Sequence, residues 1–207
     1  MNNEAYLTVQ QAAVTEINVE RSRFIGHCRE AANEDAAREF VAEIRARHAQ
    51  ATHNCYAYRV GAGPRPAEYY HDHGEPTGTA GKPILGAIQR HKLTNTVVVV
   101  TRYFGGKKLG VRGLIEAYGQ TATAVLEQAG TVQQIPCFTL HLTYSYADHS
   151  LILHRLGQIN ATTVATQYTD AVSATFSVPE ANRPALTALL AELPAAVVTG
   201  PTPLNRP

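Results

Sequence analysis

The sequence predicts an α+β chain of two domains, and three observations lead there. Apolar residues recur at helical spacing in several stretches, separated by segments that alternate or are continuously apolar. The pattern is interrupted at residues 131–136, which end in Ile135-Pro136 and read as a linker. Beyond it the segments follow the order β-α-β-β-α-β, the ferredoxin-like signature. The predicted domains are therefore 1–131 and 137–207.

Taken in order, residues 13–30 read as two extended segments around Arg21-Ser22-Arg23. Asn33 is the expected N-cap of a helix with Glu34 and Asp35 in its first turn. Ala37, Phe40, Val41 and Ile44 form its apolar face, and Arg45, Arg47 and His48 suit its C-terminal end. Asn54–Val60 is a tyrosine-rich strand, Gly61–Pro66 a loop, and Glu68–His73 a short strand. Residues 71–83, HDHGEPTGTAGKP, form a glycine- and proline-rich loop that leads into a short helix carrying Ile84, Leu85 and Ile88, with Pro83 in its first turn. Asn95–Phe104 is a strand whose nearly unbroken apolar run requires cover on both faces. Leu114, Ile115, Tyr118, Ala122, Val125, Leu126 and Ala129 share a helical face that Gly130 terminates. In the second domain, strands at 138–146, 161–168, 171–178 and 195–198 alternate with helices at 150–156 and 185–190, and the tail from Gly200 is expected to fray.

The composition narrows the function classes. The 207 residues suffice for two small domains with real cores, and 44% hydrophobic with 17% charged residues excludes a disordered chain. No apolar run approaches the ~18 residues of a membrane span. The start, MNNEAYLTVQ, lacks the basic-then-apolar order of a secretory signal. Cys28, Cys55 and Cys137 are odd in number and form no CxxC, which points to reduced thiols and a cytoplasmic protein. The net charge of +1 hides an uneven distribution. No acidic residue lies between Glu75 and Glu116, whereas Lys82, Arg90, Lys92, Arg102, Lys107, Lys108 and Arg112 do.

Two glycine-rich turns bracket this basic window. In VVVVTRYFGGKKLG, Gly105 and Gly106 free the backbone after a buried strand, and Lys107, Lys108 and Arg112 follow beside a helix start, a setting suited to phosphate. The rival reading is a plain strand-to-helix turn with solvated lysines. GEPTGTAGK is not a Walker A loop, because Pro76 replaces its first glycine and Pro83 its Ser/Thr. Gly78, Thr79, Gly81 and Lys82 could still form a looser cradle of amides, with Arg102 nearby. His71, Asp72, His73 and Glu75 include two histidines on one strand face, but no distant partner completes a metal site and none is expected. His53-Asn54-Cys55 does not by itself make an activated thiol. Tyr56, Tyr58, Tyr69, Tyr70, Tyr103 and Phe104 flank the cations and suit either unstacked RNA bases or a core.

His53–Tyr58, Gly74–Pro83 and Val98–Gly106 with Leu109-Gly110 resemble, in this order, motifs of the IMPACT family in its bacterial YigZ-like branch. Residues 137–198 resemble the smaller C-terminal domain of its bacterial members. The resemblance implies a first domain like the C-terminal domain of a small-subunit ribosomal protein and domain IV of elongation factor G, followed by a ferredoxin-like domain. Eukaryotic members regulate translation through an additional N-terminal domain, so that role is not carried over. The chain departs from the family pattern in two places. His73 stands where a second acid is usual, and Arg112-Gly113 with Glu116 replaces glycine-glycine and a later basic residue; Arg112 and Glu116 should be helical neighbours. The first expectation is a translation-related protein that binds RNA or the ribosome through the glycine-rich basic cleft. The alternatives are an enzyme acting on a small phosphorylated or peptidic substrate, with Asp72 or Glu75 as general base and Lys82 and Arg102 holding the anion, and a protein-interaction module using the flat sheet of the C-terminal domain. No cofactor is implied.

Overall fold

The computed structural model describes residues 5–192 and 197–203, the latter by backbone alone. It divides into two compact units, Tyr6–Gln134 and the chain from Ile135 onward.

The first unit is built on a five-stranded antiparallel sheet in the order β2-β3-β6-β4-β5, comprising β2 (Ala13–Val19), β3 (Ser22–Glu30), β6 (Thr96–Tyr103), β4 (His53–Val60) and β5 (Ala67–His71). Helix α1 (Glu34–Arg47) packs on one face, and α2 (Gly81–Arg90) and α3 (Gly110–Ala129) on the other. The valine run of β6 explains itself by parity. Val98 and Val100 join the core with α2 and α3, while Val97 and Val99 join Phe40, Val41 and Ile44 of α1. Asn33 caps α1 as its sequence requires, Oδ1 accepting from the Ala36 amide at 2.8 Å. Ile115, expected on the buried face of α3, is exposed instead: the helix buries Leu114, Ala117 and Tyr118, and Ile115 falls just outside that arc.

Residues 131–134 are not a linker. They form β7 (Thr131–Gln134), paired antiparallel with β1 (Tyr6–Val9), a segment for which the sequence reading had no assignment. Both strands have only four residues, too few for alternation to stand out.

The second unit has the expected β-α-β-β-α-β order: β8 (Cys137–Tyr144), α4 (His149–Gln158), β9 (Thr162–Tyr168), β10 (Val172–Pro179), α5 (Arg183–Glu192) and β11 (Val197–Pro203). Its sheet is antiparallel in the order β11-β8-β10-β9. Phe138, Leu140, Leu142, Phe176 and Val178 meet Ile152, Leu156 and Leu186 of the helices in its core. Gly200–Pro203, expected to fray, belong to β11, where Pro203 pairs with Phe138. Residues 195–196 of the expected strand and 204–207 of the tail lie outside the described residues.

One polar contact under α1 gives the first unit a pH dependence. His27 on β3 is 3% exposed, and its Nε2 lies 3.1 Å from Nε2 of His48, whose Nδ1 meets the Tyr103 hydroxyl at 3.0 Å. Burial, with His48 and Arg47 nearby, lowers the His27 pKa to about 4. The fold therefore holds His27 neutral, while the unfolded chain protonates it below about 6.5. Its contribution is complete above that value and is lost as pH falls toward 4, by up to about 3 kcal/mol. Urea unfolding at pH 7, 5.5 and 4.5 should show falling stability, and the His27→Gln variant should show a shallower fall. Parallel losses in the two proteins would contradict this assignment.

Candidate functional site

The C-terminal end of β6 meets the loop of residues 72–80 at a buried carboxylate. Arg102 shares its strand parity with Val98 and Val100, so its side chain enters the core and is only 5% exposed. A buried guanidinium needs an anion. Glu75, itself 4% exposed, supplies one: its Oε1 accepts from Arg102 Nη1 at 2.6 Å and from the Tyr118 hydroxyl of α3 at 2.8 Å. His53, at the start of β4, brings Nε2 to 3.7 Å from the same oxygen. Its Nδ1 carries a hydrogen, because it donates to the His73 carbonyl at 2.9 Å. Arg102 Nη2 donates to Ser22 Oγ at 3.3 Å, and the guanidinium lies 5.3 Å from the ring centroids of both Phe24 and Phe104.

The loop is folded around a second carboxylate. Asp72 Oδ1 accepts from the amides of Ala80 and Gly81 at 3.0 and 2.8 Å, and Oδ2 from the amide of Gly78 at 2.9 Å. The amide cradle is real, but its anion comes from the protein. The Gly78 and Gly81 amides are therefore not free for phosphate. Thr79 is buried, its hydroxyl donating to the Pro76 carbonyl. Gly81 is glycine for space, since a Cβ there would stand 2.7 Å from the His71 nitrogen. His73, at φ 43°, accepts the Asn54 amide on Nδ1 at 3.0 Å. A carboxylate could accept that amide equally well, which accounts physically for an imidazole in place of an acid. The Cys55 thiol donates to the Asp72 carbonyl at 2.9 Å, and burial pushes its pKa up to about 12, so it stays protonated and is no nucleophile. Burial likewise raises the Tyr118 phenol far above its ordinary value.

The second glycine turn is clipped to the β2–β3 hairpin. The Gly105 amide donates to Ser22 Oγ at 3.2 Å, and a Cβ on Gly105 would stand 1.9 Å from the Arg21 carbonyl oxygen. Lys107 pairs with Glu20 in the hairpin turn at 2.5 Å, with both side chains exposed. Gly106, at φ 88°, has open space around it. Lys108 is exposed, as is Lys82 on α2, and neither forms an ion pair among the described residues. Arg112 and Glu116 are the expected neighbours, 2.9 Å apart and solvent-exposed.

The structure thus divides the expected site residues into two sets. Asp72, Glu75, Arg102, Thr79, Gly81 and Gly105 hold the scaffold. Lys82 on α2, Lys107 and Lys108 after Gly106, and Arg112 on α3 remain exposed on the surface, as does Phe104 at 44%. Sequence reasoning missed the bonding roles of Ser22, His53 and Tyr118. For Glu75 a signal was present: Arg102 falls on the same strand face as Val98 and Val100, and Glu75 is the last acid before the acid-free window.

Comparison with known proteins followed the same division of the chain. The family model described as Impact N-terminal domain matches residues 20–126, and a model described as a domain of unknown function matches residues 142–195. The IMPACT family member YvyE of Bacillus subtilis is 42% identical over 142 residues, which cover 69% of this chain and 65% of that protein. The chain thus spans just under two thirds of that relative. The IMPACT family member YigZ of Escherichia coli is 33% identical over 186 residues, 89% of this chain and 91% of the relative. A solved structure described only as that of a hypothetical protein aligns with a TM-score of 0.69 and 30% identity, covering 94% of this chain and 96% of its own.

The Asp72 cradle leads to a direct test. In Asp72→Asn, one oxygen can still serve Ala80 and Gly81, but the side-chain amide must face the Gly78 N–H. Thermal unfolding should show a loss of about 1–3 kcal/mol. An unchanged melting temperature would mean that the loop does not depend on this carboxylate.

Proposed function

The chain belongs to the IMPACT family, and from that premise we propose that it acts in translation as a regulator, contacting RNA or the ribosome through the exposed cations between Glu75 and Glu116. The observation that carries this reading is the acid-free window between Glu75 and Glu116. Its buried cation, Arg102, is neutralised internally, whereas Lys82 and Lys108 have no carboxylate partner among the described residues. The Lys107–Glu20 and Arg112–Glu116 pairs are solvent-exposed. Such pairs are weak and can exchange a carboxylate for a phosphate at little cost. Side chains, rather than the amides of Gly78 and Gly81, make the phosphate contacts. The likeness to domain IV of elongation factor G that the family resemblance implies for the first domain is in keeping with this reading.

The enzymatic alternative has less support. Asp72 accepts three backbone amides, Glu75 accepts from Arg102 and Tyr118, and Arg102 is buried while Lys82 lies on the surface. A general base and two anion holders do not converge on open space. A protein contact through the second unit is favoured by one observation. Tyr146 and Tyr168 are 53% and 61% exposed and stack on each other at 6.2 Å, with exposed Val164 on the same edge strand β9 as Tyr168. A bait of the 207-residue chain carrying Tyr146→Ala and Tyr168→Ala should then lose a partner that the native bait retains from an extract; retention by both baits would count against it.

Binding to a labelled RNA hairpin should weaken steeply as salt rises from about 50 to 200 mM. Lys107→Glu with Lys108→Glu should flatten the slope of log K against log salt by about 2, with melting temperature unchanged. Absence of binding at low salt, or a slope that the double variant leaves intact, would refute the reading.

A further inference from the structure

The α1 face of the sheet is only partly covered. Helix α1 packs over Tyr58, Val60, Val97 and Val99, while Tyr69 and His71 on the outermost strand, β5, remain exposed. Register places Tyr58 opposite Tyr69 and Tyr56 opposite His71, so all four rings share this face. They form a continuous layer. Tyr58 and Tyr69 stack at 5.5 Å and 20°, Tyr56 and His71 at 5.6 Å and 17°, and Tyr56 lies 5.9 Å from Tyr69. Above it Arg45 extends from α1, its guanidinium 5.2 Å from the Tyr56 ring centroid. Arg45 Nε is buried without a hydrogen-bond partner, and Arg45 forms no ion pair among the described residues.

A stacked layer of rings along an open sheet edge, beside a guanidinium lacking an anion, matches the chemistry of unpaired nucleotides. Their bases offer π faces to the rings and their phosphates supply the missing charge. A hydrophobic protein face fits less well, because β5 (AEYYH) offers no large aliphatic side chain. The sheet also joins this layer to the basic loop. His71 ends β5 where the 72–80 loop begins, and the register of His53 opposite Arg102 puts the end of β6, followed by Phe104 and Lys108, at the same end of the sheet.

We propose that Tyr56, Tyr69 and His71 form a stacking platform for the bases of single-stranded RNA, with Arg45 as its phosphate contact. This rests on the RNA-binding reading above and adds the strand state of the RNA and a second surface. The test measures anisotropy with labelled oligouridylate and with an RNA duplex of equal length. Tyr69→Ala and His71→Ala should each weaken oligouridylate binding by roughly fivefold to a hundredfold and leave duplex binding unchanged. Tyr69→Phe should retain the native affinity. Native oligouridylate affinity in both alanine variants, alongside loss in the Lys107→Glu/Lys108→Glu protein, would overturn the platform and keep the RNA-binding reading. Failure of the native protein to bind either RNA would overturn both. Tyr69-dependent capture of an extended acidic peptide in preference to RNA would replace the platform with a protein contact.

Discussion

The first unit depends on a guanidinium placed where water cannot reach it. Arg102 occupies an inward position on the central strand β6, between a phenylalanine ring and the core. Removing such a charge from water costs several kcal/mol, which only a well-placed anion and further hydrogen bonds can offset. Glu75 provides the anion, Tyr118 and His53 converge on the same carboxylate oxygen, and Ser22 takes another guanidinium nitrogen. Four separate segments are tied together by this cluster: the β2–β3 hairpin, the start of β4, the 72–80 loop and the second helical layer.

The glycine-rich turns owe their shapes to this arrangement. With Glu75 anchored, the residues after it close back on Asp72, whose carboxylate fills the amide cradle that an external phosphate would otherwise occupy. At the other turn, Gly105 lets the backbone approach the Arg21 carbonyl closer than any side chain permits. Both turns are therefore inward-facing structural devices. What they leave outside is a set of lysines and an arginine with weak or no partners, and an aromatic layer on the opposite face of the same sheet. The basic charge and the glycines belong to one region but serve different purposes.

Much of the fold was legible because it rests on periodicity. The helical face of Phe40, Val41 and Ile44, the doubly covered valines of β6 and the β-α-β-β-α-β order all follow from local spacing. The β1–β7 pair did not, because two four-residue strands distant in sequence carry too little pattern. The site was legible in residue type and not in role. Glycines and cations draw attention to these two loops, but amides and carboxylates in one loop satisfy each other in ways that spacing does not reveal. Asp72 and Glu75 suit a general base by residue type, as the enzymatic alternative has it, whereas their hydrogen-bond partners give both a structural role. The β4–β5 aromatic layer was half legible: alternation places Tyr56 with Tyr58, but the pairing of Tyr58 with Tyr69 depends on the register of the two strands.

The most direct measurement is a double-mutant cycle on Glu75→Gln and Arg102→Met, with stability read by urea unfolding. If this pair organises the first unit, each single variant should lose about 3–5 kcal/mol by stranding a buried group, and the double variant should lose far less than the sum. Strictly additive losses, or single variants as stable as the native chain, would contradict the account.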